Sequence, residues 1–93
     1  MSHEDRFRTL DIAPSFLEGF SSKDFSLADR RAIRRALTKL DGDEKHPSLR
    51  IHQLSRSLSG MWSASASDNL RITFIRGPDG RKAVVGCSKH YDR

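Results

Sequence analysis

A chain of 93 residues suits one compact domain, 1–93, with a thin core. Its single cysteine excludes a disulfide framework and argues against a thiolate metal cage. The formal net charge of +5 is unevenly placed: residues 1–44 hold eight Lys/Arg against nine Asp/Glu, residues 45–93 nine against three.

The excess in the C-terminal half predicts a polyanionic partner, such as nucleic acid or a ribosome. The start "MSHEDRFR" has no apolar signal core behind it, and no apolar run approaches membrane-spanning length. A cytoplasmic protein with no membrane attachment is the expectation. No motif asks for a small-molecule cofactor or a metal.

In chain order, "FRTLDI" (7–12) alternates weakly and predicts a first strand. Pro14 suits the first turn of a helix that places Phe16, Leu17 and Phe20 on one face. Ser26 with Asp29 forms a box-like start for the clearest helix. Its apolar stripe is Ala32, Ile33, Ala36, Leu37 and Leu40, and Arg30, Arg31, Arg34, Arg35 and Lys39 fill the other side. "DGDEKHP" ends that helix, with His46 as a loop residue before Pro47.

From Ile51 the period falls to two. "IHQL" is strand-like, and "MWSASAS" puts Trp62, Ala64 and Ala66 on one face. "SDN" is a hairpin signal. "LRITFI" sends Leu70, Ile72 and Phe74 to the core, and Arg71, Thr73 and Ile75 the other way. "GPDG" is a second tight turn. "RKAVVGCS" predicts a last strand with Ala83, Val85 and Cys87 on one face, Cys87 being a small core residue. The plan is α+β, with helices on one face of an antiparallel sheet.

Arg71 then faces away from the helices, and His52, His90 and Tyr91 lie at strand ends near that face. Cleaving RNA by attack of its own 2′-OH needs a base, a cation for the charged phosphorane and an acid for the leaving oxygen. His and Arg supply these near neutral pH. The plainer readings are Arg71 paired across the sheet with Asp68 or Asp79, Trp62 as core packing, and a solvated cationic helix face.

The ordered set "HPSLRIHQL…WSASASDNLRITF…VVGCSKHYD" resembles the RelE/ParE superfamily of toxins from bacterial type II toxin–antitoxin modules. The resemblance covers roughly residues 6–92. It implies two N-terminal helices packed on a curved antiparallel sheet of about four strands, and a cognate antitoxin as partner. It also implies one of two activities: ribosome-dependent, metal-independent mRNA cleavage, or a ParE-like block of DNA gyrase. A catalytically inactive binding module of the same fold is the further alternative.

On the nuclease branch Arg71 matches the strand arginine that steadies the scissile phosphate. His52 and His90 match acid–base positions, and Tyr91 a functional aromatic. Arg50, Arg56 and Lys89 fit phosphate or rRNA contacts, as do Arg30 and Arg34 on the helix. Gly86 stands where some such nucleases carry a second strand arginine, which favours the non-nuclease branch.

Overall fold

The computed structural model describes residues 7–55 and 60–89. The order is β1 (Leu10–Ile12), α1 (Pro14–Phe20), α2 (Leu27–Gly42), a 3-10 turn (Pro47–Leu49), β2 (His52–Gln53), β3 (Met61–Ser67), β4 (Leu70–Arg76) and β5 (Lys82–Lys89). The five strands form one sheet in the order β1-β5-β4-β3-β2.

Two features depart from the expected antiparallel sheet of about four strands. A fifth strand is present, and the sheet is mixed, because β1 pairs parallel to β5. Both departures come from short segments whose pairing is tertiary. β1 is three residues long and is held by more than its ladder. The Asp41 carboxylate accepts from Thr9 N–H (2.6 Å), the Thr9 hydroxyl (2.8 Å) and Arg8 N–H (3.2 Å), tying the strand to the end of α2. Ala13 N–H then donates to the Val84 carbonyl as the chain turns into α1.

Helix α2 starts at the predicted cap. Ser26 Oγ accepts from Asp29 N–H, and the Asp29 carboxylate accepts from Ser26 N–H, so two otherwise orphaned donors are satisfied. The stripe Ala32, Ile33, Ala36, Leu37 and Leu40 is buried as read from the sequence. It packs with Phe16 of α1 against Ala64, Leu70, Ile72, Phe74 and Val84. Both helices therefore lie on one side of the sheet. Each fully buried Ile, Leu or Phe there contributes roughly 1.5–3 kcal/mol of transfer free energy.

Strand β4 alternates as expected, with Leu70, Ile72 and Phe74 buried and Arg71, Thr73 and Ile75 on the far side. Strand β5 does not follow its predicted alternation. Thr73 pairs with Gly86 and Phe74 with Val84, so Val85 is extra in a bulge and the faces switch there. Val84 is fully buried, while Ala83 and Val85 are only half-buried; Cys87, beyond the bulge, does pack against the core.

Lys82 is also buried on the helix side, an unexpected place for a lysine. Its ammonium meets Glu44 Oε1 at 3.1 Å, and Arg76 meets Glu44 Oε2 at 2.6 Å. Arg76 also lies over the Trp62 ring, 4.5 Å from its centroid, and Trp62 stacks on Phe74. Trp62 thus has the predicted packing role but keeps part of its surface exposed.

Candidate nucleic-acid interface

The sheet face away from the helices carries the polar residues of interest. His52 pairs with Ser63, Ser63 with Thr73, and Thr73 with Gly86. In the next row on the same face Ser65 pairs with Arg71, and Arg71 with Ser88. His52 and Arg71 therefore share one face, two strands and two residues apart, about 12 Å between Cα atoms from standard sheet spacings. Ser63 and Ser65, between them on β3, are buried, while Thr73 is partly exposed and Ser88 exposed. The only carboxylate that strand alternation puts on this face among the described residues is Asp11, at the far edge. It is bound to Arg81 at 2.6 Å, and that hydrogen bond holds its carboxyl below the usual range.

The polar tip of Arg71 turns back to its own hairpin. Its Nη1 donates to the carbonyls of Ser67 (3.0 Å) and Leu70 (3.1 Å), and neither Asp68 nor Asp79 pairs with it. Nε and Nη2 have no partner among the described residues, so one edge of the fork stays available to an anion. In this pose the guanidinium points away from His52, so the two side chains share a face without meeting.

His52 is exposed, and its position is set by the turn before it. Pro47–Leu49 forms one 3-10 turn, anchored by fully buried Leu49. Arg50 follows in the left-handed region (φ 46°, ψ 47°), which strains a residue with a Cβ and turns the chain sharply into β2. The Arg50 carbonyl lies 3.0 Å from His52 Nδ1. A carbonyl only accepts, so Nδ1 carries the proton, and in the neutral ring Nε2 presents its lone pair outward. That is the tautomer a general base needs.

His46 has the opposite arrangement. Its Nδ1 accepts from Ser48 N–H at 3.1 Å and caps the 3-10 turn, as a loop histidine before Pro47 should.

The other sequence-selected residues divide. Arg50 is exposed beside His52. Lys89 lies on the helix side of the sheet, opposite buried Leu70, and its ammonium binds Asp29 at 3.2 Å. Arg30 is a clamp: it donates to the carbonyls of Phe20 (2.9 Å) and Ser22 (2.8 Å), holding the connection between the helices. Arg34 lines a groove between α1 and α2. These three are not brought to the Arg71–His52 face. Arg56, His90 and Tyr91 lie outside the described residues.

Sequence reading put Thr73 on the Arg71 face but did not bring Ser63 and Ser88 to it. Their signal was the same alternation that placed Arg71, extended across the sheet by register. Among the described residues no three His, Cys, Asp or Glu side chains cluster as a metal cage requires. No helix among them is long and apolar enough to cross a membrane.

Neither the family models nor the curated proteins compared with the chain match it. Solved structures do. The YoeB/ParE toxin from Agrobacterium tumefaciens superposes with a TM-score of 0.67 at 17% identity, over 90% of this chain and 100% of that one. The Staphylococcus aureus YoeB-YefM complex gives 0.66 at 17% identity, over 92% and 99%. The E. coli DinJ-YafQ complex gives 0.67 at 15% identity, over 89% and 93%. At these identities the likeness is one of architecture, and the fold of this chain is that of the RelE/ParE-like toxins.

Proposed function

We propose that the chain is the toxin of a toxin–antitoxin module and acts as a ribosome-dependent, metal-independent mRNA endonuclease. The observation that carries this reading is the placement of Arg71 and His52 on one helix-free face of the sheet, two strands apart, with the Thr73 and Ser88 hydroxyls on the same face. His52 Nε2 takes the proton from the 2′-OH. The free edge of Arg71, with the partly exposed Thr73 hydroxyl and the exposed Ser88 hydroxyl, stabilises the charged phosphorane. His90 and Tyr91, next in sequence after Lys89, are proposed to supply the acid for the leaving 5′-oxygen. A face with almost no carboxylate leaves a polyanion unopposed, which supports an RNA substrate.

An antitoxin partner is part of the proposal. Among the similar structures are the E. coli DinJ-YafQ toxin-antitoxin complex and the Staphylococcus aureus YoeB-YefM complex. The second reading is a ParE-like gyrase inhibitor or an inactive binding module. It is favoured by Gly86, which puts no second cation opposite Thr73 on the same face.

The test is inducible expression followed by primer extension on translated mRNAs. Codon-aligned cuts should appear, and should vanish in Arg71→Gln and His52→Ala proteins whose circular dichroism and melting are unchanged. Growth arrest with intact mRNA and accumulating gyrase–DNA breaks would instead establish the second reading.

A further inference from the structure

A second, separate recess opens on the helix side of the sheet, at the β2 edge. It has a volume of about 410 Å³ and is lined by Lys45, His46, Arg50, Trp62 and Arg76, with Glu44 at one end. That size falls within the roughly 300–1,000 Å³ typical of small-ligand sites. Its electrostatics are one-sided. Glu44 is neutralised on both oxygens by Arg76 and Lys82, and their hydrogen bonds, Arg76's first, hold its carboxyl below the usual range. Lys45 and Arg50 are exposed, and their side-chain charges have no carboxylate partner among the described residues. His46 has Nδ1 committed as an acceptor, so its Nε2–H is a donor.

The recess also holds an aromatic platform. The half-buried Trp62 ring is fixed from one direction by Phe74, at 6.5 Å between centroids, and from another by the Arg76 guanidinium. A planar guanidinium layered over a fixed indole presents an outer face on which an unpaired base stacks at little entropic cost. Arg50 joins this recess to the Arg71–His52 face: its carbonyl holds His52 Nδ1, while its side chain lines the recess.

We infer that this recess is a nucleotide subsite for single-stranded RNA, the base stacking on the Arg76 guanidinium that lies over Trp62 and the phosphate held by Lys45, Arg50 and His46. The inference rests on the reading that the chain binds RNA, and it names where a strand leaving the Arg71–His52 face is gripped next. A duplex does not fit, because its bases are already stacked and paired.

Trp62 is the chain's single tryptophan, so its fluorescence reports on this recess alone. Purified protein is titrated with a single-stranded RNA hexamer, and binding is followed in parallel by anisotropy of a fluorescein-labelled copy. Saturable quenching of Trp62 is expected, with affinity lowered about tenfold or more in a Lys45→Ala/Arg50→Gly double variant. Glycine at 50 keeps the left-handed turn, and both sites are exposed, so the fold is retained and is checked by circular dichroism.

RNA that binds by anisotropy without quenching Trp62 overturns the subsite. So does a double variant of unchanged affinity, or equal quenching by a duplex of the same sequence. Primer extension in cells separates the two claims. Quenching without mRNA cleavage leaves this subsite standing and removes the nuclease reading; cleavage without quenching does the reverse.

Discussion

Replacing Glu44 by Gln should expose how the buried Lys82 is tolerated. The Lys82 side chain is only 4% exposed, and among the described residues its ammonium has one carboxylate partner, Glu44 at 3.1 Å. Stranding a fully buried charge costs roughly 3–5 kcal/mol. Glu44 is itself 33% exposed, so water reaches the site and the expected cost falls to about 2 kcal/mol. For a domain of this size that lowers Tm by roughly 8–16 °C.

Lys82→Met removes the charge that needs the partner, and should be nearly neutral or stabilising. In the Lys82→Met background Glu44→Gln loses only the half-exposed Arg76 pair, at under about 1 kcal/mol. The folded carboxyl is held below its unfolded range, so its share of stability is complete above about pH 4.3 and fades as pH falls through the lower folded value. The gap between wild type and Glu44→Gln should therefore close in acid. Thermal melts of the four proteins from pH 7 downward give the cycle. Equal costs of Glu44→Gln in both backgrounds would refute the argument.

Other changes test the scaffold by denaturant melts. Ser26→Ala removes one arm of the capping box and should cost about 1 kcal/mol. Leu40→Ala, at a fully buried position, should cost roughly 2–5 kcal/mol, whereas Leu17→Ala, 53% exposed, should stay within about 0.5 kcal/mol. Arg50→Gly should be neutral or gain up to about 1 kcal/mol, while Arg50→Val should lose about 1–2 kcal/mol, because only glycine adopts φ 46° without strain.

What could be read from the sequence was what local spacing decides. Helix α2 is 16 residues long, and its stripe of five buried residues from Ala32 to Leu40 spans about two and a half turns, so one misplaced residue cannot blur it. In β4 the alternation of Leu70, Ile72 and Phe74 with Arg71 and Thr73 likewise needs no partner to be seen. The bulge in β5 does need one: the extra residue, Val85, exists only relative to Thr73 and Phe74 across the ladder. Lys82 beside Ala83 and Val84 reads as an exposed strand lysine until Glu44, 38 positions earlier, is brought to it by the end of α2. The parallel partner of β1 lies some seventy residues ahead and leaves no local mark.

The candidate site divides along the same line. Arg71 takes its face from a seven-residue strand, so its placement is over-determined by its neighbours. His52 belongs to a strand of two residues, and a shift of one would send it to the helix side. Two ladder residues are too few to prevent that shift. The turn before them is what resists it: Leu49 is locked in the core, Arg50 is forced into the left-handed region, and its carbonyl holds the imidazole. The stability of the His52 position is therefore set by Leu49 and Arg50, and a core change at Leu49 should disturb the proposed base without touching it. The stretch "PSLRIH" is read less well as the start of a strand than as the bracket that aims one histidine.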